Sequence, residues 1–176
     1  MKQWFINRFQ YFPLSIFMAY ALWNGEPSKE RWLDAFVLSA IAGLVQLVTI
    51  AAKKSPANRL VLATNVYLIL GGIAVFSKQW WYLQIYYQLK ASAILLSMAL
   101  IGLIATYFTE AGYLGVSSIN NNKTKKFSMY LLLATVVCLG ISQFFHGNML
   151  LAGILPIVAV INLQLYLQKK LIKSEV

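Results

Sequence analysis

The sequence predicts an all-α membrane protein: a bundle of about six transmembrane helices, in a single integral-membrane domain over residues 1–176. Three observations carry that expectation. Of 176 residues, 60% are hydrophobic and only 11% charged, whereas a typical soluble domain is roughly 25% charged. The apolar residues fall into runs long enough for helices to cross most of a bilayer. Lys and Arg gather in the short connections between those runs, as expected of loops facing anionic lipid. The net charge of +10 would point to nucleic acid in a soluble protein. In this pattern it points to membrane lipids, and nucleic acid is not an expected partner.

The first apolar segment runs from about Phe9 to Trp23, with Pro13 in the first helical turn, where proline is tolerated. Lys2 and Arg8 precede it and Ala19-Tyr20-Ala21 ends it, a pattern shared with cleaved signals. With Pro13 early in the stretch, a retained first helix is expected. It is short for a span, so it either thins the bilayer locally, extends upstream through Trp4 and Phe5, or does not cross. Asn24-Gly25-Glu26-Pro27-Ser28 is a turn by composition.

The second segment, about Trp32 to Ala52, places Ala35, Ser39 and Gly43 on one small-residue stripe that admits a neighbouring helix. The third, about Leu60 to Phe76, contains Gly71-Gly72. The fourth, Gln79 to Phe108, opens with Trp80, Trp81, Tyr82, Tyr86 and Tyr87 and reaches Lys90. It then runs from Ala91 to Phe108 without a charge. Trp and Tyr favour the water–lipid boundary, because an apolar ring carries a polar tip. A polar connection follows, with Glu110 and Asn120-Asn121-Asn122-Lys123-Thr124-Lys125-Lys126. The fifth segment spans about Met129 to Phe145. After a His146-Gly147-Asn148 turn, the sixth spans about Met149 to Leu167, with an expected kink at Pro156.

With the N-terminus inside, Lys2, Arg8, Lys53, Lys54, Arg59, Lys123, Lys125, Lys126, Lys169, Lys170 and Lys173 all fall on the inner side, eleven of the fifteen bases. Lys29, Arg31 and Lys78 fall outside, with Lys90 at a helix entrance. Both termini are therefore expected in the cytoplasm. That requires an even number of crossings: six, or four if the first segment and one other do not cross.

Chemistry is sparse. No Asp or Glu lies in the middle of a segment, His146 is the single histidine, and Cys138 is the single cysteine. No catalytic set, metal-ligand spacing or phosphate-binding loop is present, so neither enzyme activity nor a cofactor is expected. Lys90 is the most informative charge. Either it snorkels to the outer interface along its apolar stem, or it binds a lipid headgroup or another anion with Trp80, Trp81, Tyr86 and Tyr87 around it. Gln46, Asn65 and Asn162, all towards the inner ends of their segments, form a second candidate group. Interhelical packing is its favoured role. Ser142 and Gln143 are read in the same way.

The order of motifs resembles the intracellular septation protein A family of bacterial inner-membrane proteins. Phe12-Pro13-Leu14 with Phe17 and Tyr20 is similar to that family's short first helix, and Gln46-Leu47-Val48 before Lys53-Lys54 to the end of its second. Gly71-Gly72 is similar to the glycine pair of its third helix, and the aromatic stretch up to Lys90 to its entrance to the fourth. Ala91-Ser92 stand where that family usually has Pro-Thr. The resemblance implies a non-catalytic protein of the bacterial inner membrane, concerned with cell division and envelope maintenance. Its partners would be lipids and other inner-membrane proteins, or further copies of itself. The alternative is a small transporter or lipid-handling protein with an anion or headgroup site near Lys90.

Overall fold

A computed structural model describes residues 11–21, 23, 28–52, 58–116, 121–148 and 150–173. The termini, Trp4, Phe5 and most of the 24–28 turn lie outside the described residues. Among the described residues there are seven α-helices and one π-helical turn: α1 Phe12–Ala21, α2 Lys29–Ala52, α3 Arg59–Phe76, α4 Trp80–Leu89, α5 Ser92–Phe108, α6 Asn121–Phe144, the π turn Leu150–Ile154, and α7 Leu155–Lys173. The class is all-α.

Four helical stretches are long and apolar enough to cross a membrane: α2, α3, α6, and the run Leu150–Lys173. The pair α4 and α5 qualifies only as one broken span, bent by 101° where the sequence predicts a continuous element. Among the described residues the count is therefore four, or five with the broken pair taken as one span. Helix α1 has ten residues, about 15 Å of rise, half the thickness of the hydrocarbon core. The break between α4 and α5 has a local cause. Lys90 takes a left-handed backbone, φ 49°, which ends a helix and is uncommon for a non-glycine residue.

The described residues pack as two compact units, one from residues 1–55 and 64–88, the other from 56–63 and 89–176. In the first, α1 lies along α2 and turns Pro13, Leu14, Phe17 and Ala21 inward at helical spacing. Phe17 meets Phe36 at 4.9 Å between ring centroids, and Phe36 meets Tyr67 and Tyr86 at 5.5 Å each. Ser28 caps α2, its Oγ accepting from the Arg31 N–H at 3.3 Å. The stripe Ala35, Ser39 and Gly43 is buried, and Gly43 lies directly against Asn65 of α3. Within this unit the stripe serves an intrachain contact. The opposite face of α2 exposes Ile41, Leu44, Val45 and Val48, an apolar run suited to lipid that lies between the exposed Asp34 and Thr49. Gly71-Gly72 completes the packing: a Cβ at Gly71 would overlap the Phe36 ring, and one at Gly72 would overlap the Ala40 methyl.

In the second unit α5 packs on α6, and α6 on α7 and the π turn. Helix α5 buries nine of its seventeen residues, among them Leu95, Met98 and Gly102. Helix α6 begins at Asn121, eight residues before its apolar run, because Thr124 and Ser128 face inward from an otherwise polar first two turns. The kink expected at Pro156 takes a specific form. Pro156 is the second residue of α7, and the π turn stands immediately before it. Proline has no N–H for the carbonyl four residues earlier. That carbonyl, Ala152, instead accepts a hydrogen bond from the Ser142 hydroxyl. Asn148 caps the turn, its Oδ1 accepting from Leu150 and Leu151 N–H.

The connection after α5 departs from its sequence reading. A polar stretch is expected at the surface, yet Tyr113 and Leu114 have no exposed surface at all.

Candidate functional site

The five residues of the expected lipid or anion site separate in the structure. Helix α4 buries only Leu83 and Tyr86. Trp80, Trp81 and Tyr87 are more than half exposed. Tyr86 is instead a core residue of the first unit, stacked on Phe36 and edge-on to Tyr67 at 4.8 Å. Its hydroxyl shares a 2.6 Å hydrogen bond with Tyr82. The ring count that marks the stretch in sequence therefore mixes two populations, one structural and one presented outward.

The outward group has polar support. The Trp81 indole N–H donates to Gln79 Oε1 at 2.8 Å, and Lys29 Nζ stands over the Trp80 ring at 5.9 Å, within cation–π range. Trp32 meets Tyr87 edge-on at 6.3 Å. Exposed Trp and Tyr rings beside a cation match the chemistry of the headgroup boundary, where the ring enters the acyl region and the N–H or O–H stays hydrated. Lys90, the next residue but one after Gln88, is exposed in the helix break.

The polar group of Gln46, Asn65 and Asn162 is also divided. Asn65, only 1% exposed, donates its amide to Gln46 Oε1 at 2.6 Å. Asn162 belongs to the second unit and is exposed, so it is no part of a buried amide cluster. Two residues along α7 is a rotation of about 200°. That rotation brings Gln164, not Asn162, to the interior, where it has no exposed surface.

Gln164 marks a polar centre that the sequence reading missed. Its Nε2 donates to Asn58 Oδ1 at 2.9 Å and to the Leu114 carbonyl at 3.3 Å. The Gln168 amide donates to the same carbonyl at 2.7 Å. Asn58 Oδ1 also caps α3 by accepting from the Leu60 N–H at 2.9 Å. On the other side of the turn, the Leu114 N–H donates to Ser128 Oγ at 3.4 Å. Gln164 Oε1, Thr124 Oγ1 and Arg59 Nε are buried without a protein partner, each an arrangement that costs on the order of 1–3 kcal/mol. The signal available in sequence is the pair Gln164 and Gln168, four residues apart on one face of an apolar helix.

Ser142 and Gln143 hold helices together as expected. Gln143 Nε2 donates to Ser92 Oγ, and Ser142 bonds Ala152. His146 is exposed, with Nδ1 at 3.0 Å from the Gln143 carbonyl. Among the described residues no three His, Cys, Asp or Glu side chains gather closely enough to hold a metal ion. All fully buried polar side chains among the described residues are neutral hydroxyls and amides.

By the length and apolarity of its helices the chain is a multi-helix membrane protein. No family model matches it, and neither a curated protein nor a solved structure does.

Proposed function

We propose that this is a non-catalytic protein of the bacterial inner membrane that serves envelope maintenance or cell division by contacting lipids and other membrane proteins. The observation that carries the reading is the outward face of α4, with Trp80, Trp81 and Tyr87 more than half exposed. At ten residues this helix is too short to cross alone. Its aromatic face suits the plane of the headgroups, with the chain turning at Lys90 into the uncharged α5. The neutral buried polar groups fit a role in packing. The order of the Phe12-Pro13-Leu14, Gly71-Gly72 and aromatic-to-Lys90 motifs supports the septation-linked form of the reading.

The test is complementation. Deleting the chain from its host should produce an envelope or division defect that the wild type restores and Trp80→Ala/Trp81→Ala does not, at equal membrane abundance. A deletion strain of normal shape and envelope integrity would overturn the proposal. The exposure of Lys90 in the helix break favours a second reading, a small transporter or lipid-handling protein that binds an anion or headgroup there. On that reading Lys90→Ala abolishes function while the tryptophan pair is dispensable.

A further inference from the structure

The second unit buries a piece of backbone that belongs to no helix. The turn Ala111–Gly115 holds Tyr113 and Leu114 at zero exposure, and its docking depends on side chains from elsewhere in that unit. Gln164 and Gln168 hold the Leu114 carbonyl, and Ser128 receives its N–H. The Tyr113 hydroxyl shares a 3.4 Å hydrogen bond with Thr135, and its ring lies over Gly102, where a Cβ would come within 2.7 Å. Buried backbone outside a helix persists only where other groups satisfy its N–H and C=O.

We propose that this turn is a detachable plug, latched by Gln164 and Gln168, whose release admits water to the polar interior of the second unit. Three features support this. The buried pair Tyr113-Leu114 is bracketed by Gly112 (φ 55°) and Gly115 (φ 74°), residues able to absorb large backbone rotations as hinges. Beside the plug, the Gln164 Oε1 and Thr124 Oγ1 atoms are buried without a protein partner. Hydration of these atoms favours the undocked state, while burial of Tyr113 and Leu114 favours the docked one. Finally, Gly112 touches Ser128, where a Cβ would collide with the hydroxyl. The docked position is therefore a close fit that one methyl group disrupts.

The experiment compares labelling by a small water-soluble thiol reagent at two cysteines of α6, read peptide by peptide by mass spectrometry on the purified full chain. Thr124→Cys is the reporter, since the Thr124 hydroxyl has no hydrogen bond to lose. Native Cys138, half-buried on the same helix, is the internal reference. Gln164→Leu/Gln168→Leu should raise the ratio of reporter to reference labelling at least about tenfold, as expected when the hydrogen bonds to one buried carbonyl are lost. Gly112→Ala, which dislodges the turn from its other side, should raise it in the same direction. If the double variant does not fold, Gln168→Leu alone serves, with a smaller rise. An unchanged ratio, or equal acceleration at both cysteines, overturns the plug.

Discussion

The two units solve the same problem, holding apolar helices together, by different means. The first is built on rings. Phe36 touches Phe17, Trp32, Tyr67 and Tyr86 within 4.9–5.5 Å between centroids, and an interhelical amide bond joins Gln46 to Asn65. The second is built on side chains that satisfy backbone: Ser142 on the carbonyl that Pro156 deprives, and Gln164, Gln168 and Ser128 on Leu114. In a lipid environment apolar burial does little to distinguish helix–helix from helix–lipid contact, so packing and hydrogen bonds carry the association. The comparison shows how each unit divides that work. Regular backbone leaves packing as the main need, while irregular backbone must also be satisfied.

The largest effect should come from the ring cluster. Phe36 is fully buried, and Phe36→Ala removes the ring that four others contact. A loss of about 3–5 kcal/mol is expected for such a truncation, measured by thermal or detergent unfolding of the purified protein. A loss under about 1 kcal/mol would show that the first unit does not depend on this cluster. Next comes the amide latch. Gln164→Leu and Gln168→Leu should each cost about 1 kcal/mol, because the Leu114 carbonyl keeps one donor in either case. Together they orphan it, so the double variant should cost more than the sum of the two. Simple additivity would mean that the two glutamines do not share a load.

The contrast also explains what the sequence could convey. Long apolar runs located α2 and α3 to within a few residues, since hydropathy follows burial in lipid directly. The break at Lys90 was not legible, because Leu89-Lys90-Ala91-Ser92 contains neither proline nor glycine. The left-handed conformation falls on a residue that rarely adopts it. The buried turn was hidden for a related reason. Glu110 to Asn122 reads as polar surface, and only the distant Gln164 and Gln168 supply its partners. The aromatic stretch was legible as a feature of the chain, but not as two populations. Alternation between Tyr86, inside, and Tyr87, outside, depends on where Phe36 and Tyr67 stand. Asn162 and Gln164 make the same point: composition nominates an amide, and helix rotation decides which one is buried.

The smallest effect belongs to the amide pair of the ring-built unit, and it separates the two strategies most finely. Asn65 is buried and Gln46 half-buried. Gln46→Leu removes the acceptor and leaves the Asn65 amide without that bond in an apolar setting. Interhelical bonds of this kind contribute roughly 0.6–1.7 kcal/mol, and the variant should lose an amount in that range. Gln46→Leu/Asn65→Leu removes the orphan along with the bond, and replacing both partners by apolar groups of similar shape is close to neutral. The double variant should therefore be more stable than Gln46→Leu alone, as measured by the unfolding midpoint. That order would mark the bond as a local accommodation within a unit held by rings. If the double variant is instead the less stable, Asn65 contributes through packing against Gly43, and the first unit depends on polar residues as much as the second.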